Sequence, residues 1–417
     1  MSSLTPADDR AQDWLERGSL YRWEPVSGKA AGKSIDIFHV EAGRPDAPLL
    51  LLVHGFPTSS IDWYDVIDRL AEDYRVCALD FPGYGFSGKP PDWPYSLEVD
   101  AGLLVHHLRN VLAASKCRVV AHDRGDSVAL LMHHNLSRGE DPAGVTIEHL
   151  VLSNGNIFLP LANLTTFQKL ILDPDRAKQV LEVMTPAMLA AGMGNTTFTP
   201  QRPPGDPTVE ALAATLAHND GISVLHDTVQ YLRERTEHEV IWLQSLAASE
   251  VPSTVIWGIC DTVSPPRVAM HVWEHYLQKK PGSNELWIVP AANHYLQNDR
   301  PDAFVEALLH SLKRQGPSDP GPLEATPGLP CASTIPRLRC PTPPPASSSD
   351  ARLSGPSHQR LCRVGKRGRR RKPAPPFDHL TRLVRRWTSS GATTRRVPHH
   401  PGRGPALVPR GLRCRGR

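Results

Sequence analysis

Ahead of residue 316, short and uniformly apolar runs alternate with longer stretches whose apolar residues recur every three or four positions. Pro48–Val53 (PLLLLV), Tyr74–Leu79 (YRVCAL), Arg118–Ala121 (RVVA), His149–Leu152 (HLVL), Ser253–Trp257 (STVIW) and Glu285–Val289 (ELWIV) predict buried strands. Each is short, rich in branched side chains and bounded by turn residues. Val99–Ala113, Ser127–Leu136 and Asp302–Lys313 carry the helical spacing instead. Strands alternating with helices predict a mostly parallel sheet covered on both faces, an α/β architecture. From Asn156 to Glu250 the alternation stops. That stretch is helical in pattern, is interrupted by Thr199–Pro207 (TPQRPPGDP), and predicts a helical insertion before the Ser253–Trp257 strand. The expected organisation is an N-terminal segment (1–20), a core in two parts (21–155 and 251–315), a helical cap (156–250) and a tail (316–417).

Charge sharpens the boundary at the tail. Gly316–Arg417 holds 21 Lys and Arg, 4 Asp and Glu and 18 Pro, which leaves 26 basic and 39 acidic residues before it. The body is therefore −13 and the tail +17, so the net +4 describes neither. An acidic body is a poor nucleic-acid binder. In the tail, Pro341–Ser349 and Lys366–Pro376 lack apolar periodicity, and such segments cannot offset chain entropy by burial, so disorder is expected. Arg367–Lys372 would suit an electrostatic contact with nucleic acid or an anionic membrane, against the plainer reading of a non-functional extension. The longest apolar run, Ala47–Val53, is far below the roughly 18 residues of a membrane helix, and Met1–Arg10 has no secretory pattern. The seven Cys show no C-x-x-C spacing, and Cys77, Cys117 and Cys260 lie in or beside apolar runs as buried thiols would. A reducing cytoplasm is the expected location.

The chemistry concentrates after the strands. In Val119-Val120-Ala121-His122-Asp123-Arg124-Gly125-Asp126-Ser127 a strand ends, small residues flank Asp123 on both sides, and a helix begins. That is the pattern of a nucleophile elbow, in which a strained turn lifts one side chain above the sheet. The apex here is Asp. A carboxylate nucleophile displaces a leaving group from carbon and forms an ester, chemistry that suits epoxides and alkyl halides. His54-Gly55-Phe56-Pro57 follows the Pro48–Val53 strand, and the glycine lets the Phe56 amide turn toward the same place. Asp261 follows the Ser253–Trp257 strand and His294 the Glu285–Val289 strand, giving the order nucleophile, acid, histidine.

These residues, with Asp80-Phe81-Pro82-Gly83-Tyr84-Gly85-Phe86-Ser87, resemble the branch of the α/β-hydrolase family that holds epoxide hydrolases, haloalkane dehalogenases and fluoroacetate dehalogenases. His54–Trp63 with Tyr64, Ser153-Asn154-Gly155, Asn219-Asp220-Gly221 and Gln230-Tyr231 narrow the resemblance to the mesoderm-specific transcript group and its bacterial relatives. It spans about Tyr21 to Ser311. It implies an α/β-hydrolase fold and a two-step hydrolysis. Asp123 would attack carbon, the Phe56 and Arg124 amides would hold the oxyanion, and His294, oriented by Asp261, would activate water. Tyr231 falls where epoxide hydrolases carry a cap tyrosine that protonates the opening oxygen, and no second Tyr lies between Asn156 and Glu250. Arg124 matches a carboxylate-binding residue of fluoroacetate dehalogenases, whose second Arg is replaced by Ser127. Phe56 and Arg124 stand where haloalkane dehalogenases hold halide.

An epoxide hydrolase-like enzyme acting on a small molecule is the leading expectation, with a dehalogenase-like hydrolase or a non-catalytic binding protein as alternatives. No phosphate loop or dinucleotide glycine motif is present, so no cofactor is expected, nor a catalytic metal. His106-His107 and His133-His134 sit in predicted helices without acidic neighbours at ligand spacing and read as surface or packing residues. Ser153 lacks the flanking glycine of a serine elbow, and Trp242, at helical spacing, reads as core.

Overall fold

The computed structural model describes residues 9–139 and 144–313. At its centre lies a sheet of eight strands: β1 (Gly18–Trp23), β2 (Ile35–Ala42), β3 (Leu49–Val53), β4 (Arg75–Leu79), β5 (Lys116–His122), β6 (Thr146–Ser153), β7 (Ser253–Gly258) and β8 (Asn284–Val289). Their order across the sheet is β1-β2-β4-β3-β5-β6-β7-β8. β2 runs antiparallel to both neighbours, and β3 to β8 are all parallel. β3 and β7 are buried at every position, as a doubly covered parallel sheet demands of its central strands.

All six expected strands are present, extended or trimmed by a few residues at their ends. β1 and β2 carry no uniform apolar run. β1 is an edge strand with only Trp23 buried, and β2 has Asp36 and Glu41 exposed at the surface. The N-terminal segment is also structured. Asp9–Arg17 forms a helix whose Ala11 and Trp14 are fully buried, with the Trp14 indole donating to Ser60 Oγ at 3.0 Å, and β1 crosses the expected boundary at residue 20. The predicted Val99–Ala113 helix runs from Leu97 to His106 and widens into a π turn over His107–Val111. Helices Arg124–Ser137 and Pro301–Lys313 match their predicted counterparts.

Between β6 and β7 the chain makes the expected helical excursion. Three of its helices start the same way: Asp173-Pro174, Thr185-Pro186 and Asp206-Pro207 each place a capping side chain before a proline in the first turn. The cap oxygen accepts amides that have no helical partner, and proline has none to lose there. The longest helix, Tyr231–Ala248, packs along Arg124–Ser137, with Ser245 Oγ 3.1 Å from Ser137 Oγ. Among the described residues no helix is long and apolar enough to cross a membrane. The disorder expected of 316–417 falls outside the described residues.

Candidate active site

β5 ends at His122 and the next helix begins at Arg124, so Asp123 carries the whole change of direction. It does so at φ +50° and ψ −113°, a conformation that strains a residue bearing a Cβ. Its neighbours leave little room. A Cβ on Gly125 would lie 2.5 Å from the Val53 carbonyl oxygen, and one on Gly55 would lie 2.7 Å from Asp123 Cβ. The missing side chain at Gly55 brings the next amide against the carboxylate: Phe56 N–H donates to Asp123 Oδ2 at 2.9 Å. The other oxygen, Oδ1, is buried without a hydrogen-bond partner and lies 3.7 Å from His294 Nε2. His54 braces this loop. Its Nδ1 lies 2.8 Å from the Gly55 carbonyl and its Nε2 accepts the Phe81 amide at 3.1 Å. Burial pushes its pKa down to about 3, so it is a neutral strut.

The imidazole of His294 is held from its far side, where Nδ1 lies 3.0 Å from Asp261 Oδ2. Asp261 is fixed in turn by the Val263 and Ser264 amides on Oδ1, at 2.7 and 2.9 Å, and by Asn154 Nδ2 on Oδ2, at 2.8 Å. Asn154, at the end of β6, also accepts the Gly258 amide and donates to the Asn293 carbonyl. It thereby joins the two loops that bear the acid and the histidine, a role its place in Ser153-Asn154-Gly155 does not reveal. Burial by itself would lower the His294 pKa. Asp261 first, then Asp123 and Asp62, overcome that and raise it to about 9. Asp62 is buried, accepts from Thr58 Oγ1, and is pushed up to about 8 by burial, with Asp123 adding to the shift.

The opposite wall comes from the excursion and the first helices. Tyr231 is 1% exposed, its ring 5.8 Å from that of Phe56, and its hydroxyl has no hydrogen-bond partner. The Arg124 guanidinium bonds to Asp100 and lies against the rings of Phe81, Tyr84 and Tyr231. Of the guanidinium to which the resemblance gives a carboxylate-binding role, Nη2 is taken by Asp100, while Nε and Nη1 are buried without a hydrogen-bond partner. The Arg124 amide makes no hydrogen bond to the Asp123 carboxylate among the described residues; the Phe56 amide alone does. Arg235 was not foreseen. One helical turn beyond Tyr231, it is wholly buried, and its Nη2 lies 3.5 Å from the Asp123 carbonyl. The four-residue spacing from Tyr231 is the signal that could have revealed it.

Residues 50–307 match the model of the alpha/beta hydrolase family. The chain belongs to that family. Among curated proteins it is 30% identical to the mesoderm-specific transcript homolog protein of Bos taurus over 298 residues, covering 70% of this chain and 87% of that one. It is 31% identical to the LipZ protein of Mycobacterium tuberculosis, covering 72% and 97%. It is 25% identical to epoxide hydrolase 3 of Mus musculus, covering 66% and 74%. Among solved structures, haloalkane dehalogenase DbeA from Bradyrhizobium elkani superposes with a TM-score of 0.56 at 21% identity, covering 72% of this chain and all of that one, a likeness of fold.

Other residues of this α/β-hydrolase fall into structural places. Ser153 Oγ donates to the Ala121 carbonyl at 2.8 Å, and Trp242 is buried. His107 and His133 are buried, whereas His106 is half-buried. Cys77 and Cys117 are buried thiols as expected, but Cys260 is exposed, because it falls in the turn after β7 rather than in the strand.

Proposed function

We propose that this chain hydrolyses its substrate through a covalent ester on Asp123, and that epoxides are the substrates its site fits best. The observation that carries the reading is the asymmetry of the Asp123 carboxylate. One oxygen is held by the Phe56 amide while the other is free of partners and faces His294. In the first step Asp123 Oδ1 attacks an epoxide carbon, the ring C–O bond breaks, and Tyr231 donates its phenolic proton to the departing oxygen. In the second step His294 takes a proton from water, which attacks the ester carbonyl. The Phe56 amide steadies the oxyanion, Asp261 steadies the imidazolium, and collapse releases the diol and restores Asp123, while the proton on His294 returns through solvent to the Tyr231 phenolate. The Tyr231 hydroxyl, buried and without a partner, supports its use as the acid, since such a donor is costly to leave unsatisfied. The relation to epoxide hydrolase 3 supports the same choice.

The helices between β6 and β7 act in this reading as a cap. Asp123, His294 and Tyr231 are each at most 3% exposed, so substrate entry requires the cap to move. Unpaired thiols at Cys77, Cys117 and Cys260 suit a reducing, cytoplasmic compartment. Carbon–halogen hydrolysis would share both steps, with a halide cradle in place of the Tyr231 acid. The deciding experiment is turnover of an epoxide panel in water enriched in heavy oxygen. Under single-turnover conditions the label should enter the Asp123 carboxylate, while the diol oxygen comes from the protein. Label in the first-turnover diol would mean direct attack by water and would end the proposal.

A further inference from the structure

We propose that His39, Cys77 and His107 form a binding site for a divalent ion of the zinc type, where β2 and β4 pair beneath the π turn. The three come from β2, β4 and the π turn after Leu97–His106, and their donor atoms all lie within 4.8 Å of one another. No short spacing unites them in the chain. The antiparallel pairing of β2 with β4 does so, setting Glu41 opposite Cys77 and His39 opposite Leu79 on one face. The helix then lays His107 over that face, with Nε2 3.2 Å from Cys77 Sγ.

The outward hydrogen bonds of both imidazoles aim their remaining nitrogens inward. His107 Nδ1 lies 3.0 Å from Tyr21 Oη, which leaves Nε2 for the thiol or an ion. His39 Nε2 lies 2.9 Å from Ser19 Oγ, which leaves Nδ1. That Nδ1 is buried without a hydrogen-bond partner on a residue only 8% exposed, and the nearest carboxylate oxygen, on Glu41, is 3.8 Å away. An imidazole whose outer nitrogen is fixed by a hydrogen bond and whose inner nitrogen is free is the usual form of a metal-binding histidine. Two imidazoles and a thiolate suit zinc by ligand softness. Zn–S near 2.3 Å and Zn–N near 2.0–2.1 Å put tetrahedral ligand atoms about 3.5 Å apart, against 3.2 Å between Cys77 Sγ and His107 Nε2 and an outer limit of 4.8 Å for all three. Binding replaces the Cys77 proton, which is released to solvent, and leaves a fourth position for water or Glu41. The ion would staple the β2–β4 pairing to the helix over it. Nothing in this inference depends on the hydrolytic reading.

The test uses the full chain, stripped with a chelator and dialysed against zinc chloride or cobalt chloride. The expected result is close to one equivalent of zinc retained per chain, a rise of several degrees in Tm on adding it, and a near-ultraviolet thiolate-to-cobalt absorption with cobalt. His39→Gln and Cys77→Ser should each lose the stoichiometric zinc and the cobalt band, whereas His106→Gln, next to the cluster, should keep both. His39 is 8% exposed whereas Cys77 is fully buried, so His39→Gln carries the test if Cys77→Ser does not fold. Failure of the stripped chain to take up zinc would overturn the proposal. So would zinc and a cobalt band that persist in both cluster variants, since the ion would then sit elsewhere.

Discussion

Asp123→Asn should lower the pKa of His294, and the size of the drop tests whether ester formation switches on the base. In the resting enzyme His294 is held near 9 against the pull of burial, with Asp261, Asp123 and Asp62 supplying the negative field. Such a histidine is protonated at neutral pH and cannot accept a proton from water. Once Asp123 is esterified its charge is gone. At the 3.7 Å separating Asp123 Oδ1 from His294 Nε2, one unit charge is worth about 4 kcal/mol at an effective dielectric near 20. That corresponds to about 3 pKa units. The sign follows directly: a carboxylate favours the charged imidazole, so removing it favours the neutral one. His294 should then titrate near 6 rather than near 9, both in Asp123→Asn and in the covalent intermediate. The base would thus be unmasked at the step that needs it. Imidazole resonances followed by NMR from pH 5 to pH 10 in both proteins measure the shift. A His294 that still titrates within one unit of 9 in Asp123→Asn would refute the switch, and the hydrolytic step would need another base.

His294→Gln should form the ester and fail to hydrolyse it, so intact mass should rise by one substrate and stay there. Normal turnover by that variant would remove His294 from the reaction. Tyr231→Phe keeps the ring against Phe56 and Arg124, so Tm should barely move while epoxide opening falls by about 10²–10³, as when one oxyanion donor is lost; an unchanged rate would free Tyr231 from the role of acid. Gly125→Ala places a methyl group 2.5 Å from the Val53 carbonyl and should cost about 1–3 kcal/mol, read as a Tm lower by several degrees. An unchanged Tm would show that the elbow can relax.

What was legible along the chain was whatever physics makes local. Leu49–Val53 and Ser253–Gly258 are buried at every residue, so their uniform apolar character announces central parallel strands. The elbow needs small residues within two positions of Asp123, and that constraint too is written locally. β1 and β2 obey a different rule. Exposed or alternating positions suffice for an antiparallel edge pair, and their strand character arises from partners that the local pattern does not name. The same distinction separates the residues foreseen at the site from those missed. Asp123, Asp261 and His294 each follow a strand, and the ends of parallel strands converge on one edge of the sheet. Asn154 reaches Asp261 across 107 residues, and Arg235 reaches the Asp123 carbonyl across 112. Both act through contacts that exist only after the sheet has closed and the excursion has folded back over it. Asp62 makes the point energetically. In Ser59-Ser60-Ile61-Asp62-Trp63 it reads as a polar residue in a turn, yet burial beside Asp123 pushes its pKa up to about 8, so it is largely neutral at neutral pH and adds to the field on His294 only as it ionises at higher pH. Its effect on the base depends on depth and distance, and a linear pattern encodes neither.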